Sequence, residues 1–278
     1  MTTVVSWNVQ AGLGVDGRVD FERIAAVVRA IGDTDVICLQ EIEHSAAAGD
    51  QFAAVATLFP GYARIDGPSI ERNGSDGPYR FGNLVLSRLP VLSALRHLLP
   101  WPPAPGIKHM PRQATEVTVA AAGGPLRVVT THLEYHAEHH RMAQVARLRE
   151  LHDEAAAQIR APAQALASGP YAGLVRPDRR ALFCGDFNME LGWPEYDAML
   201  KPFESGTPAL VDAWTALYPE RPHDPTCGIF DLKQWPAGAH CRDFFFVTED
   251  LAAKLAALTV DVATDASDHQ PLALVIAD

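Results

Sequence analysis

The chain has few cysteines, no basic excess and no long apolar run, and each absence narrows the class of protein. Only four of its 278 residues are cysteine. None stands in a CxxC pair, so the sequence favours free thiols over a disulfide framework or a cysteine-bound zinc centre. Lysine and arginine total 23 against 34 aspartates and glutamates, which gives a net charge of −11. A broad nonspecific nucleic-acid surface normally needs the opposite balance.

No segment has the length or composition of a targeting or membrane element. The N-terminus enters an apolar run at once, without the charged and apolar regions of a signal peptide. No apolar run approaches the roughly 20 residues that span a bilayer. We therefore expect a cytoplasmic protein without stable membrane insertion. A hydrophobic fraction of 48%, with no repeat and no dividing linker, predicts one domain over residues 1–278. The sequence does not indicate an oligomeric state.

Apolar spacing predicts a strand-rich fold with a few helices. Helical periodicity is expected over residues 21–31, 51–59 and 142–159, and short apolar runs predict strands over 82–87, 91–99, 115–120 and 126–131. Proline and glycine between these four strands favour antiparallel pairing. Three segments are expected to lack regular structure: a surface loop over 66–80, an irregular connection with five prolines over 100–111, and a long connection over 161–180.

Polar side chains with catalytic potential stand at the ends of apolar runs. Four runs close with Asn8, with Glu41, with His132, and with the segment 185–188. Two further clusters, 242–243 and 267–269, come directly before an apolar run. The end of one antiparallel strand lies beside the start of the next, so all six clusters can gather at one edge of a sheet core. Their carboxylates, carboxamides and imidazoles are typical of a hydrolase that uses a hard metal ion.

Each of these residues also has an ordinary structural explanation. Glu41 can hold Mg2+ or Mn2+, or it can be a solvated carboxylate at a strand end. Asn8 can offer its amide oxygen to the metal, or it can close a turn. Asp186 can deprotonate a water that Asn188 holds, or the two residues can form an Asx turn. The joint occurrence of all six clusters at strand ends favours the functional interpretation.

Histidine and aspartate near the C-terminus predict a paired arrangement. Asp243 can accept a hydrogen bond from His269 and keep the imidazole cationic near a phosphate. Asp268 can serve as a second metal carboxylate. His132 is the other candidate imidazole, and Tyr135 and His136, just beyond it, are possible pocket residues. Each also has a plain alternative, a core histidine or a capping aspartate.

In this order along the chain, the motifs resemble those of the endonuclease/exonuclease/phosphatase superfamily. The resemblance runs from near the first residue to near the last. It implies an α/β (α+β) fold, a four-layer α-β-β-α sandwich of two mixed β-sheets flanked by helices. It also implies phosphoester hydrolysis with Mg2+ or Mn2+. The motifs that carry it are Trp7-Asn8, Gln40-Glu41, Thr131-His132, Gly185-Asp186-Phe187-Asn188, Asp243 and Ser267-Asp268-His269, together with the strand sequence Gly82 to Arg88.

The resemblance also implies a role for each site residue. Glu41 would be the principal metal ligand, supported by Asn8 and Asp268. Asp186 would activate the attacking water. The scissile phosphate would be bound and neutralised by Asn188, His132 and His269, with Asp243 orienting His269. Arg112, at the start of a predicted strand, is a further candidate for phosphate contact because arginine can grip phosphate in a bidentate manner, although a surface arginine explains it equally well.

The sequence leaves the substrate open. A phosphodiester is favoured, and the candidates include small molecules, lipid head groups and nucleic acid. A nuclease acting on DNA or RNA is the alternative, but abasic-site enzymes commonly carry a lysine shortly after the metal glutamate, whereas Ile42-Glu43-His44 follows here. A sphingomyelinase would need an apolar hairpin facing the membrane, for which Trp101 is a weak sign.

Two other classes of protein compete with the metal-dependent phosphoesterase. A catalytically inactive binding module with the same fold predicts the loss of one or more motif residues, and Glu41, His132, Asp186 and His269 are all present. A zinc hydrolase predicts an HExxH motif or a close histidine cluster. The only such grouping, His136, His139 and His140, stands at the predicted start of a helix.

Overall fold

The computed structural model describes residues 1–108, 110–161, 169 and 172–277. Much of the predicted connection over 161–180 therefore lies outside the described residues. The described strands are β1 (Thr2–Asn8), β2 (Val36–Ser45), β3 (Gly49–Asp50), β4 (Ala63–Gly74), β5 (Gly77–Ser87), β6 (Val91–Leu98), β7 (Gln113–Ala121), β8 (Gly124–His132), β9 (Ala181–Asp186), β10 (Leu210–Asp212), β11 (Asp243–Thr248), β12 (Leu255–Val260) and β13 (Leu272–Ile276). The described α-helices are α1 (Phe21–Ile31), α2 (Gln51–Thr57), α3 (Glu138–Arg160), α4 (Pro194–Leu200), α5 (Ala213–Leu217) and α6 (Glu249–Ala252).

The strands form two mixed sheets. The first has the order β12-β13-β1-β2-β5-β4, with β3 paired to β2, and the second has the order β10-β11-β9-β8-β7-β6. Each sheet contains one parallel pair near its centre, β1 with β2 and β8 with β9. The connections inside these pairs contain α1 and α3, since parallel neighbours need a long crossover.

Three buried apolar clusters define four layers. Val4, Val36 and Val85 from the first sheet pack with Val117 and Val128 from the second, so this cluster lies between the sheets. A second cluster joins the outer face of the first sheet to α1 and α2. The third joins the outer face of the second sheet to α3 and α4. The predicted four-layer α-β-β-α sandwich is confirmed.

The parallel pairs bring four of the sequence clusters to one edge of the sandwich. Asn8, at the carboxyl end of β1, is aligned with Gln40, where the parallel pairing of β1 with β2 ends and β2 continues to Ser45. His132 is aligned with Asp186 at the carboxyl ends of β8 and β9, and Asp243 at the start of β11 faces Asp186 across an antiparallel pair. Carboxyl ends of parallel neighbours meet at the same edge of a sheet, so strand order alone collects these side chains.

The loop predicted over 66–80 is wrong. This segment is a long hairpin, in which β4 pairs with β5 from Ala63 and Ser87 out to Gly74 and Gly77. Its apolar residues are interspersed with proline, glycine and charged residues, so no apolar run marks the strands. The expectation that strands 82–87 and 91–99 pair is also wrong, because β5 and β6 belong to different sheets. The expected helices, the irregular connection before β7 and the pairing of β6, β7 and β8 are confirmed.

Candidate active site

Glu41 reaches the site through an irregularity in β2. The pairing of β2 with β5 shifts register between Leu39 and Ile42, as in a β-bulge. Glu41 has a φ of 61°, which lies in the left-handed region that residues with a Cβ rarely adopt. Bulges commonly re-aim a side chain beside an active site. The carboxylate is 26% exposed and lies at the mouth of the site.

The segment after β9 also has an unusual backbone. Gly185 has a φ of 136°, and a Cβ built on it would lie 1.9 Å from the carbonyl oxygen of Thr131, so only glycine fits there. Asn188 has a φ of 50°. Its backbone N–H donates to Asp186 Oδ1 at 2.9 Å, and its side-chain amide donates to the Leu133 carbonyl at 3.0 Å. The Asx turn considered from the sequence is therefore present, and it holds both side chains in the site.

Asp186 is at the centre of the site. Its Oδ2 atom accepts a hydrogen bond from Asn8 Nδ2 at 3.0 Å and lies 3.3 Å from His132 Nε2 and 3.7 Å from His269 Nε2. Burial raises the pKa of Asp186, and the charge of His269 opposes this while the charge of Asp243 adds to it. A buried carboxylate with a raised pKa is a stronger base than a solvated one.

His269 is held by the predicted aspartate. His269 Nδ1 donates to Asp243 Oδ2 at 2.8 Å, and Thr226 Oγ1 donates to the same oxygen at 2.6 Å. Burial alone would lower the pKa of His269, but the charges of Asp243 and Asp186 raise it well above its usual value. This shift favours the cationic form of the imidazole. Thr226 was missed because nothing in its local sequence marks a contact with a residue 17 positions away.

His132 differs from its predicted role in one respect. Arg112 is buried beside it, with guanidinium nitrogens 3.3 Å from His132 Nδ1 and 3.2 Å from His132 Nε2. Burial and the charges of Arg112 and His269 lower the pKa of His132 well below its usual value. A neutral His132 can form hydrogen bonds but cannot neutralise a phosphate. The positive charges of this site are those of Arg112 and His269.

Asp268 is held by a segment that the sequence did not single out. Gln234 Nε2 donates to Asp268 Oδ2 at 2.7 Å, and Trp235 Nε1 donates to the same atom at 3.2 Å. Ser267 Oγ donates to the Asn8 carbonyl at 2.8 Å, which ties this segment to the end of β1. The glutamine and tryptophan lie 34 and 33 residues before Asp268. Their contacts depend on tertiary folding, and no spacing rule could have found them.

Asn8 lies between two carboxylates. Its amide nitrogen donates to Glu41 Oε1 at 3.0 Å as well as to Asp186, and its amide oxygen accepts from the backbone N–H of Gln10 at 3.1 Å. A donor placed between two carboxylates relieves their repulsion, as a metal ion would. For Asn8 to be a metal ligand its amide oxygen must face the ion, so its amide group would have to turn relative to this arrangement.

The site carries more negative than positive charge. Glu41, Asp186, Asp243 and Asp268 are four carboxylates, and all except the half-buried Glu41 are buried. Arg112 and the cationic His269 supply two positive charges, so two negative charges are left. Burial raises the pKa of Glu41, a hydrogen bond from Asn8 opposes this, and the charge of Asp268 adds to it. This balance and the oxygen-rich donor set fit a hard divalent cation such as Mg2+ or Mn2+.

A second grouping of possible metal ligands overlaps this one. Ligand atoms of Asp186, Asp243 and His269 all lie within 4.8 Å of one another. However, Asp243 and His269 already share a hydrogen bond, and hard cations prefer oxygen over imidazole nitrogen. We therefore favour the side of the site with Glu41, Asp268 and Asn8. Among the described residues no such grouping includes the three histidines near the start of α3, which weakens the zinc alternative.

The site opens into a cavity of about 210 Å³. Its wall includes the predicted residues Glu41, Arg112, His132, Asp186, Asn188 and His269, together with Met110, Tyr135, His136, Gln234 and Trp235. Asn8, Asp243 and Asp268 lie behind these residues and contact them through the hydrogen bonds described above. The structure thus brings all of the predicted site residues together at one edge of the sandwich.

The two sheets, the flanking helices and this site define a phosphoesterase-type sandwich, and sequence comparison identifies the family. The sequence pattern of the Endonuclease/Exonuclease/phosphatase family matches residues 5–269. The chain therefore belongs to this family, whose members are phosphoesterases. No curated protein sequence is detectably similar to the chain.

Solved structures share the fold at low sequence identity. An endonuclease/exonuclease/phosphatase from Beutenbergia cavernae DSM 12333 superposes with a TM-score of 0.69 and 23% identity, over 98% of this chain and 70% of that one. The mannosyl-6-phosphatase Bt3783 of Bacteroides thetaiotaomicron VPI-5482 superposes with a TM-score of 0.69 and 18% identity over the whole of both chains. A truncated Caenorhabditis elegans TDP2 gives 0.63 and 19%, over 100% of this chain and 97% of that one.

Proposed function

We propose that this protein is a hydrolase that cleaves a phosphoester bond with Mg2+ or Mn2+. The observation that carries the proposal is the unbalanced charge at the base of the cavity, where buried carboxylates outnumber the cations beside them. A divalent cation held by Glu41, Asp268 and Asn8 would balance that charge. When bound, the metal would supply positive charge to the oxygens of the phosphate.

Asp186 is the proposed general base. Its buried carboxylate is fixed by the backbone N–H of Asn188 and by Asn8, so it needs no rearrangement to accept a proton from water. The amide of Asn188 lines the cavity beside it and would hold that water or a phosphate oxygen. The water would attack phosphorus in line with the departing alkoxide.

Arg112 and His269 would stabilise the phosphate. Both are buried cations that line the cavity, where electrostatic interactions are stronger than in water. Asp243 orients His269 and supports its positive charge. His132 would donate or accept a hydrogen bond at the phosphate without adding charge.

A phosphodiester is the proposed bond. The acidic net charge of −11 favours a small substrate over nucleic acid. Hydrolysis of DNA or RNA is the second candidate. D. rerio TDP2, which shares this fold, has been solved in complex with a single-strand DNA product. Among the described residues no helix is long and apolar enough to cross a membrane. A cytoplasmic location and a single domain over residues 1–278 stay predictions.

The proposal is tested by metal removal and a substrate panel. The protein is treated with a chelator, dialysed and assayed with and without Mg2+, Mn2+ or Zn2+ on aryl phosphodiesters and monoesters, DNA, RNA, inositol phosphates and sphingomyelin. We expect activity to vanish on chelation and to return with Mg2+ or Mn2+. Full activity after chelation would contradict metal dependence. Binding of a phosphoester without turnover under any metal would instead support the inactive binding module.

A further inference from the structure

Tyr135 presents an exposed aromatic ring beside the phosphate site. It follows β8 by three residues, lines the cavity and is 44% exposed. An exposed tyrosine is ordinary on a protein surface. This one differs because it shares a small cavity with Arg112, His132 and Asn188, the residues assigned above to phosphate binding and water positioning.

The backbone that carries Tyr135 is held from below. Arg141 of α3 donates to the Tyr135 carbonyl at 3.0 Å and to the Glu134 carbonyl at 3.4 Å. The Arg141 guanidinium is fixed in turn by Glu195 of α4, with an Nε to Oε1 distance of 2.8 Å, and both side chains are buried. The backbone at Tyr135 is therefore held in place by buried side chains, which reduces the entropy that its ordering would cost on binding.

The wall around Tyr135 is aromatic. Its ring makes edge-on contacts with Trp235, at a centroid distance of 6.1 Å, and with His136 at 5.2 Å. The guanidinium carbon of Arg242 lies 5.9 Å from the Tyr135 centroid and 5.3 Å from that of Trp235. A cluster of rings next to the proposed catalytic residues is suited to hold another flat ring by stacking or edge-to-face contact.

The arginine behind this wall is not free to bind a second phosphate. Arg242 forms an ion pair with Glu190 at 3.0 Å, and it donates to the Asn188 carbonyl at 3.3 Å and to His240 Nε2 at 2.8 Å. Its charge is therefore already matched within the protein. This part of the cavity suits an uncharged group better than an additional anion.

We propose that Tyr135, backed by Trp235, is a specificity-determining residue that binds a planar, uncharged ring of the substrate next to the scissile phosphate. This inference rests on the proposed phosphoesterase function and narrows its substrate class. The favoured substrate is an ester with one phosphate and an aryl or nucleobase ring, and substrates with several phosphates, such as inositol polyphosphates, are disfavoured.

Two phosphonates of similar size test the proposal without the complication of leaving-group chemistry. Phenylphosphonate carries a planar ring, cyclohexylphosphonate carries a saturated one, and neither has a P–O–C bond to hydrolyse. Inhibition constants are measured against an aryl phosphodiester with Mn2+ present. We expect phenylphosphonate to bind about two- to tenfold more tightly, the range expected of an aromatic pair. Tyr135→Phe should keep this preference, and Tyr135→Leu should abolish it.

Tyr79→Leu is the matched control. Tyr79 is another partly exposed tyrosine, on the β4–β5 hairpin, and its loss should leave the preference unchanged. Thermal unfolding of each variant confirms that it is folded. Equal inhibition by both phosphonates in the parent, or a preference that survives in Tyr135→Leu, would overturn the ring site and leave the phosphoesterase intact. Absence of both inhibition and metal-dependent hydrolysis would overturn both proposals.

Discussion

Two clusters of buried charged side chains in this protein have opposite balances of carboxylates and cations. The Asp186 cluster consists of Glu41, Asp186, Asp243 and Asp268 with Arg112, His132 and His269. The Glu116 cluster consists of Glu116, Arg127, His152 and Arg176, and it lies where the second sheet meets α3. Both include charges that are almost inaccessible to water. The first opens into a cavity and has an excess of carboxylates, whereas the second has two arginines for one carboxylate.

The Glu116 carboxylate is matched by two arginines of its own cluster. Arg176 binds the Glu116 carboxylate through two nitrogens at 2.6 and 3.0 Å, and Arg127 lies 3.8 Å from it. Arg127 also donates to His152 Nδ1, while His152 Nε2 donates to the Pro208 carbonyl at 2.9 Å. Burial would raise the pKa of Glu116, but hydrogen bonds from His97 and Arg176 and the charge of Arg127 lower it to about 2.

The comparison shows that burial alone does not identify a functional charge. In the Glu116 cluster the neighbouring cations stabilise the ionised carboxylate, and its lowered pKa indicates a structural ion pair. In the Asp186 cluster the carboxylates are under-stabilised, and the pKa values of Asp186 and Glu41 are raised. An under-stabilised buried carboxylate is ready to accept a cation or a proton, which is what catalysis requires.

The largest expected effect is a loss of catalytic rate without a loss of stability when Asp186 is replaced. Asp186→Asn keeps the size of the side chain and removes the charge that accepts the proton. General-base assistance contributes about 10² to 10⁴ in rate, so kcat should fall by about that factor with little change in KM. Because this substitution reduces the excess of negative charge, the Tm of the metal-free protein should not fall. A kcat within a few-fold of the parent would make Asp186 a structural turn residue.

At Glu116 we expect the opposite result, a loss of stability without a loss of catalytic rate. Glu116→Gln leaves Arg176 and Arg127 without their carboxylate, and breaking a buried pair typically costs about 3–5 kcal/mol in the free energy of unfolding. Tm should fall on the order of 10 °C, while kcat of the folded enzyme stays near that of the parent. The control is Glu150→Gln, which removes an exposed pair with Arg147 on α3 and should change Tm little.

The loss of stability at low pH gives a further check on Glu116→Gln. The folded-state pKa of Glu116 is about 2 against an ordinary value of 4.5. Its contribution is therefore complete above about pH 4.5 and is lost as the pH falls toward 2. Denaturant unfolding between pH 5 and 3 should show a shallower decline for Glu116→Gln than for the parent. If the free energy of unfolding falls equally in the parent and in Glu116→Gln, the arginines do not stabilise the ionised form of Glu116.

A smaller effect is expected from the metal. Mn2+ at about 100 times its dissociation constant should stabilise the folded protein by about 2.7 kcal/mol, because it binds the native state preferentially. Glu41→Gln should reduce this stabilisation and weaken Mn2+ binding in titration calorimetry without lowering the Tm of the metal-free protein. Glu43→Gln, on the same strand, should retain the response. If Glu41→Gln binds Mn2+ as the parent does, the metal site lies elsewhere.

How much of the fold and of the site could be predicted from the sequence depended on how far apart along the chain the contacting residues lie. Asn8, His132 and Asp186 stand at strand ends, where local apolar patterns and an ordered set of motifs mark them. Glu41 was expected at a strand end but lies at the bulge within β2, which continues to Ser45. The β4–β5 hairpin was missed because its apolar side chains are separated by charged residues and by glycine and proline. Contacts such as those of Gln234 and Trp235 with Asp268, and of Glu116 with Arg176, join distant segments, so no local pattern encodes them.

The smallest expected effect concerns the pair formed by Asp243 and His269. Asp243 is proposed to act only through the imidazole, so Asp243→Asn should lower kcat by about 10- to 100-fold, the range typical of a residue that orients a ligand. His269→Ala should lower it at least as much. Residues that act as one unit show non-additive losses, with interaction energies of about 0.5–3 kcal/mol. The double variant should therefore resemble His269→Ala alone.

The pH profile of this pair separates orientation from simple structural support. With Asp243 replaced by asparagine, the carboxylate that raises the pKa of His269 is lost, so the imidazole should lose its proton at a lower pH. The alkaline limb of kcat/KM should then move toward neutral pH in Asp243→Asn, measured with the metal held saturating. Thr226→Val, which removes the hydroxyl that donates to Asp243 at 2.6 Å but keeps the carboxylate, should leave that limb in place. If the effects of Asp243→Asn and His269→Ala are independent, with no movement of the limb, Asp243 supports the strand and does not orient the histidine.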